Sequence, residues 1–211
     1  MSLLKKLNFK KNWIYEVLIL TWSQENQAQN SSNPNLESMN IAPFGISTDD
    51  FVRIKLNIYK SARTCKLIME SGKFTVKFFS LSDENLEEVM MCILKTYKKD
   101  IPENYKIDKE KINNLPGIRC RVEEIHKQCE QVQIISEIEG SENIDTSKIL
   151  PVNRASHLFF ESLVKFTKLN SGEFDRNKLY DEISENHRVI KKVAPGSPYL
   201  RYSKVLSGCA R

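Results

Sequence analysis

The sequence predicts an α+β protein that is mainly β, with a β-barrel over residues 1–148 and a small C-terminal helical hairpin over residues 149–211. Two observations predict this order. Before residue 140, several segments are rich in aromatic and β-branched residues, and one alternates apolar and polar residues with a period of two. After Pro151, the apolar residues recur at helical spacing. The polar residues 140–147 separate the two patterns, and we expect a domain boundary there.

Composition and charge are those of an ordinary folded protein and do not indicate a nucleic-acid-binding, membrane or secreted protein. Of the 211 residues, 40% are hydrophobic and 28% are charged, as in ordinary globular proteins. The 32 Lys and Arg are interleaved with 27 Asp and Glu, so no long basic run indicates nucleic-acid binding. The longest apolar stretch is shorter than the roughly 20 residues that cross a bilayer, and the N-terminus lacks the apolar core of a secretory signal. We therefore expect a cytoplasmic protein that binds neither nucleic acid nor a membrane.

The cysteines and histidines do not predict a metal site. Five Cys occur at irregular spacings without a close pair, and three His are scattered along the chain. We expect neither a bound metal nor a disulfide framework. Cys65, at a predicted helix start, is the one candidate nucleophile, but no His lies near it in sequence and such a cysteine is usually structural.

The first half of the chain contains the clearest strands. Residues 13–22 are aromatic and β-branched, which predicts a strand that is buried on both faces. The polar residues 23–37 predict an exposed loop. Residues 38–47 and 51–58 are apolar segments around a short polar turn, which predicts two adjacent antiparallel strands.

A helix and further strands complete the predicted barrel. Residues 64–70 have a helical pattern that Gly72 can end, and residues 74–78 alternate as in a half-buried strand. Residues 82–97 predict an amphipathic helix. Two more strands, at residues 118–122 and 132–138, would close the barrel.

The C-terminal region predicts two helices. The first carries an apolar stripe over residues 152–166, and the second can be capped by Asp175. Residues 194–198 contain two prolines and a glycine and should end the helical structure. Residues 199–206 then predict either a terminal strand or an ordered tail.

Pro43 lies inside the predicted strand 38–47, and proline is tolerated in a sheet only at edges or bulges. An irregular strand exposes backbone N–H and C=O groups that no neighbouring strand uses. A flat heterocycle with donors and acceptors along one edge, such as an isoalloxazine ring, can pair with such groups. The strand alone is a weak signal, because many proteins without a ligand contain such a proline.

A second candidate segment, residues 59–64, lies where a strand meets a helix start. It offers hydroxyl groups, a guanidinium group and main-chain amides, which together suit a phosphate. This segment is also weak by itself, because Arg and Thr at a helix start are common.

In this order, the two segments resemble the flavin reductase-like FMN-binding split barrels, most of all an archaeal and bacterial family of domain-of-unknown-function proteins. Three motifs carry the resemblance, which spans about residues 13–169. They are Asn40-Ile41-Ala42-Pro43-Phe44-Gly45, Ser61-Ala62-Arg63-Thr64 and Asn153-Arg154-Ala155. Three features depart from the family pattern: a longer loop at residues 23–37, Ala62 inserted in the second motif, and Lys66 where Asn is usual.

The resemblance implies a split β-barrel that forms a homodimer with FMN at the subunit interface. It implies FMN-binding residues in or next to the three motifs: Met39, Asn40, Ile41, Ala42, Pro43, Phe44 and Gly45 for the ring, Ser61, Arg63 and Thr64 for the phosphate, and Asn153 and Arg154 for further polar contacts. FMN itself would carry hydride or electron transfer with a small-molecule donor or acceptor, so no catalytic side chain is assigned. His157 could approach the flavin across a dimer, although a lone helical His is more often a surface residue.

Three functions remain open at this stage: a flavin reductase-like oxidoreductase, a non-catalytic flavin-binding or storage protein, and an interaction module with an empty barrel.

Overall fold

A computed structural model describes residues 1–23, 38–79, 108–169 and 175–209. The chain forms two compact units. The first comprises Met1–Lys11 and Glu16–Val152, and the second comprises Asn12–Tyr15 and Asn153–Arg211. The second unit therefore includes a short N-terminal segment that the sequence pattern had placed in the barrel. The domain division at residues 148 and 149 stays a prediction.

Six strands form a closed barrel in the order β1–β2–β3–β6–β5–β4. Their bounds are Tyr15–Trp22 for β1, Met39–Ser47 for β2, Arg53–Tyr59 for β3, Lys73–Lys77 for β4, Gly117–Lys127 for β5 and Gln131–Glu142 for β6. All the registered ladders are antiparallel. In the described residues, three helices accompany the strands: α1 at Leu3–Lys6, α2 at Arg63–Ser71 and α3 at Lys109–Asn113. The barrel confirms the predicted fold class.

The strand β1 is buried on both faces, as its composition predicts: Val17, Leu18, Ile19, Leu20 and Thr21 are each at most 1% exposed. The helix α2 also follows its sequence signals. It ends at Gly72, which has a φ of 67° and donates its N–H to the carbonyl oxygen of Ile68. Glycine adopts this left-handed conformation without the steric cost of a Cβ atom.

The expectation of a half-buried β4 is wrong, because the polar residues of this strand are buried as well. Thr75 is 6% exposed and Lys77 is completely buried. The ammonium group of Lys77 is stabilised by hydrogen bonds to Glu142 and to the carbonyl oxygen of Leu115. A buried cation with such partners can occupy a position that the alternating pattern assigns to solvent.

The hairpin of β5 and β6 confirms the two strands predicted to close the barrel, and both strands extend beyond the predicted ranges. The predicted helix at residues 82–97 lies outside the described residues. The predicted loop at residues 23–37 also lies outside them, apart from Ser23.

The described part of the second unit contains three helices: α4 at Ala155–Lys168, α5 at Arg176–Val193 and α6 at Pro198–Cys209. Asp175 caps α5 by accepting hydrogen bonds from the amides of Asn177 and Lys178, as predicted. The third helix corrects the expectation of a strand or tail after residue 198. Pro198 is suited to a first helical position, and the Ser197 hydroxyl accepts a hydrogen bond from the Leu200 amide. None of the described helices is long and apolar enough to span a membrane.

Candidate functional site

The first predicted segment, Met39 to Gly45, forms most of β2. The ladder between β2 and β3 registers only Ile46 with Leu56 and Ser47 with Lys55. On its other side, β3 pairs with β6 along its whole length, from Arg53 to Tyr59. The part of β2 that contains Pro43 therefore lies outside the registered β3 ladder, and its β3-facing backbone groups are not taken up in that ladder.

The burial pattern of β2 is irregular as well. Its buried residues are Met39, Ala42 and Ile46, and the others are partly exposed. The intervals of three and four residues differ from the interval of two that a regular half-buried strand shows. This agrees with the irregularity that the sequence predicts at Pro43.

The second predicted segment lies between β3 and α2. Ser61 and Arg63 are exposed, whereas Thr64 is only 3% exposed. Within the described part of the chain, neither the Ser61 hydroxyl nor the Arg63 guanidinium group has a hydrogen bond or ion pair. Both polar groups are thus available to a ligand.

The start of α2 has the electrostatics of an anion site. Its N-cap residue, Ala62, has no side chain that can cap the helix. The first amide of this segment to bond within the helix is that of Lys66, which donates to the Ala62 carbonyl oxygen. The amides of the first turn therefore lack intrahelical acceptors, and the positive end of the helix dipole lies beside Arg63.

Two part-buried hydrogen bonds join the two predicted segments. The Asn40 side-chain Nδ2 donates to Thr64 Oγ1 over 3.0 Å and to Thr21 Oγ1 over 3.1 Å. Asn40 lies on β2, Thr64 on α2 and Thr21 on β1, and both threonines are buried. The fold thus brings the predicted ring segment to the predicted phosphate segment.

Sequence reasoning missed Thr21. Its only sequence signal is a polar residue in the otherwise apolar run Val-Leu-Ile-Leu-Thr-Trp. A buried threonine in such a strand has several possible hydrogen-bond partners, so the sequence does not identify Asn40 as the donor.

The third predicted motif lies in the second unit. Asn153 makes three hydrogen bonds there: its Nδ2 donates to the carbonyl oxygens of Ile14 and Val193, over 2.7 and 2.9 Å, and its Oδ1 accepts from the Ala155 amide. Arg154 is exposed at the start of α4. These contacts give Asn153 a packing role, and the flavin contacts of Asn153 and Arg154 stay predictions.

The surroundings of the two remaining candidates, Cys65 and His157, do not favour a catalytic role. Burial raises the pKa of the Cys65 thiol, which opposes the thiolate form that a nucleophile needs. His157 is exposed, and its Nδ1 lies 3.5 Å from the Ser156 hydroxyl. Within the described ranges, no three His, Cys, Asp or Glu side chains come close enough together to hold a metal ion.

Neither a protein-family model nor a curated protein sequence matches this chain. Solved structures with a similar fold are FMN-binding split-barrel proteins and flavin reductases. An FMN-bound protein from Methanosarcina mazei, of family DUF447, is 15% identical with a TM-score of 0.46, over 99% of this chain and 100% of that one. Flavoredoxin from Methanosarcina acetivorans is 17% identical with a TM-score of 0.43, over 63% and 70%. The flavin reductase of styrene monooxygenase from Pseudomonas putida is 12% identical with a TM-score of 0.42, over 62% and 82%.

Proposed function

We propose that this protein binds FMN in its first unit, with the ring along Met39 to Gly45 and the phosphate at Ser61, Arg63 and Thr64. The hydrogen bond between Asn40 and Thr64 carries the proposal. This bond connects two sequence motifs, each of which is only a weak signal for a ligand by itself. The two motifs occur along the chain in the same order as in the family that the sequence resembles. One ligand with a flat polar ring and a phosphate would use both.

The phosphate end fits a phosphomonoester by charge and by donor type. An anion at the start of α2 would accept hydrogen bonds from the first-turn amides, from the Ser61 hydroxyl and from the Arg63 guanidinium group, which has no partner among the described residues. Arg binds phosphate through parallel N–H donors, which makes it a stronger partner than a single amide. The exposed position of Arg63 leaves its side chain free to reach such a ligand.

The ring end fits a heterocycle that has donors and acceptors along one edge. The β3-facing backbone groups of β2 before Ile46 lie outside the registered β3 ladder, so these N–H and C=O groups can bind a ligand. Pro43 lacks an N–H group, which leaves its carbonyl oxygen as the only backbone hydrogen-bonding group at this position. The partly exposed Ile41 and Phe44 can add apolar contact area for a ring.

Bound FMN would supply hydride or electron transfer, and we propose a flavin reductase-like oxidoreductase in which small molecules donate or accept the electrons. The protein's part is to bind and orient the cofactor. We also propose that the active form is a cytoplasmic homodimer with FMN at the subunit interface, with further polar contacts from Asn153 and Arg154. A non-catalytic flavin-binding or storage protein is the alternative, since the same binding groups would serve it.

Titration of the purified protein with FMN, followed by absorption and fluorescence, tests the binding site. Arg63→Ala should weaken FMN binding about ten- to a hundredfold, since a charge-assisted hydrogen bond contributes about 1.5–3 kcal/mol. Lys73→Ala is the control, because Lys73 is an exposed cation outside the predicted motifs that pairs with Glu139 over 3.3 Å. Wild-type protein without FMN affinity would reject the function, and unchanged affinity in Arg63→Ala would reject the phosphate site.

Two further measurements separate the remaining alternatives. Oxidation of NADH or NADPH by the FMN-loaded protein would support the oxidoreductase, whereas tightly bound FMN that no donor reduces would support storage. Light scattering after size exclusion, with and without FMN, tests the homodimer.

A further inference from the structure

Thr21 belongs to none of the predicted motifs, yet it lies at the centre of the contact between them. It is completely buried on β1, and its Oγ1 accepts a hydrogen bond from Asn40 Nδ2. The same amide nitrogen donates its second proton to Thr64 Oγ1. Asn40 is thus held from two sides by hydroxyl groups that cannot move into solvent.

The direction of these bonds determines which further hydrogen bond the Thr64 hydroxyl can make. A threonine hydroxyl has one proton and two acceptor lone pairs. Because Thr64 Oγ1 accepts from Asn40, its own proton remains for another acceptor. In the described part of the chain, no protein group accepts that proton. A phosphate oxygen is such an acceptor, and Thr64 lies next to Arg63 in the first turn of α2.

We propose that Thr21 and Asn40 are positioning residues that hold Thr64 and the first turn of α2 in the geometry that selects a phosphorylated flavin. This inference rests on the proposed FMN site and adds a specificity to it. Thr21 fixes the Asn40 amide, and Asn40 fixes Thr64. Neither Thr21 nor its hydroxyl needs to touch the ligand.

The proposal predicts that changes at Thr21 affect the affinity for FMN more than the affinity for riboflavin, which has the same ring system. FMN has the phosphate and riboflavin lacks it, so only FMN uses the first turn of α2. Loss of the Thr21 acceptor leaves an Asn40 proton without its partner and loosens the link between β2 and α2. We expect FMN affinity to fall about fivefold or more, which corresponds to one hydrogen bond, while riboflavin affinity changes less.

The experiment measures the dissociation constants of FMN and riboflavin by flavin fluorescence for wild-type protein and three variants. Thr21→Val removes the acceptor at nearly constant shape, and Thr21→Ser keeps the hydroxyl and should restore the wild-type ratio of the two constants. Thr75→Val is the matched control, because Thr75 is another buried threonine of the barrel, on β4. Thermal unfolding without ligand checks that each variant is folded.

A smaller preference for FMN over riboflavin in Thr21→Val, with recovery in Thr21→Ser and none of this effect in Thr75→Val, supports the proposal. An unchanged preference in Thr21→Val, or an equal loss in Thr75→Val, overturns it. If Thr21→Val does not fold, Asn40→Ala decides in its place, because it removes both hydrogen bonds from a partly exposed position. Wild-type protein that binds no FMN rejects the proposed function and this inference with it, whereas FMN binding with an unchanged preference in the variants rejects the inference alone.

Discussion

The ammonium group of Lys77 donates to the Glu142 carboxylate over 2.8 Å, and the lysine side chain is completely buried. The same group donates to the carbonyl oxygen of Leu115 over 3.1 Å. The Glu142 side chain is 32% exposed and also lies 3.4 Å from Arg119. A charge buried in a barrel is costly unless it is paired, so this contact stabilises β4 in its place.

Glu142→Ala is expected to lower the free energy of unfolding by about 3 kcal/mol, because it leaves a buried cation without its counter-charge. Lys77→Met should cost less, since it removes the charge together with its need for a partner. Urea unfolding followed by circular dichroism compares the two. Glu137→Ala, at the exposed pair with Arg121, is the control and should change stability by at most about 1 kcal/mol. A greater loss in Lys77→Met than in Glu142→Ala would contradict this account of the pair.

Gly117 must remain a glycine because of the same lysine. A Cβ atom there would lie 2.6 Å from Lys77 Cδ and 2.7 Å from the Val76 carbonyl oxygen, and that backbone atom cannot move aside within the β-ladder. Gly117→Ala should therefore destabilise the protein by about 1–3 kcal/mol. Gly140→Ala is the control, because its nearest neighbour is the flexible end of the exposed Arg119, and it should cost well under about 1 kcal/mol. Equal melting temperatures for the two variants would disprove this prediction.

Two buried serines should respond in opposite ways to loss of their hydroxyl group. Ser136 is completely buried on β6, and its hydroxyl has no hydrogen-bond partner among the residues that the structure describes. Ser136→Ala should be neutral or stabilising, because it removes a hydroxyl group that loses its hydrogen bonds to water on folding and gains no replacement for them. Ser162 is equally buried, but it donates to the Leu158 carbonyl oxygen and accepts from Asn186. Ser162→Ala should cost about 1 kcal/mol, and calorimetry of the two variants checks the order.

The stability of the second unit should depend on pH through His187. Its Nδ1 lies 2.8 Å from Ser203 Oγ, whose own proton is donated to the Leu200 carbonyl oxygen, so Nδ1 is the donor. Burial lowers the pKa of His187, and Lys191 and Lys204 lower it further. The unfolded chain therefore takes up a proton at a higher pH than the folded chain.

It follows that the contribution of His187 is fully present above the ordinary histidine pKa of about 6.5 and is lost as the pH falls towards the lower pKa of the folded state. Thermal unfolding between pH 7.5 and 5 should show this loss in the wild-type protein and a smaller loss in His187→Gln. His157→Gln, at an exposed histidine, is the control and should retain the wild-type pH dependence. A steeper dependence in His187→Gln would refute the assignment.

Much of the fold could be predicted because local signals agree with the final structure. Apolar β-branched runs became β1, β5 and β6, Gly72 ended α2, and Asp175 capped α5. These features depend on side chains within a few residues of one another. The expectations for Lys77 and for residues 199–206 failed for the opposite reason. A lysine at an alternating position is assigned to solvent unless its distant partner Glu142 is known, and the last segment lacks a strong helical signal apart from Ser197 and Pro198.

The sequence by itself determined two chemical segments: an irregular strand around Pro43, and a helix start with hydroxyl groups and an arginine at residues 61–64. It could not determine that they meet, because Asn40 and Thr64 are 24 residues apart and Thr21 lies a further 19 residues before Asn40. Only closure of the barrel places β1, β2 and α2 close enough for one amide group to donate to both hydroxyls. A site that depends on such long-range contacts is a property of the tertiary structure, whereas the elements that carry it are properties of the local sequence.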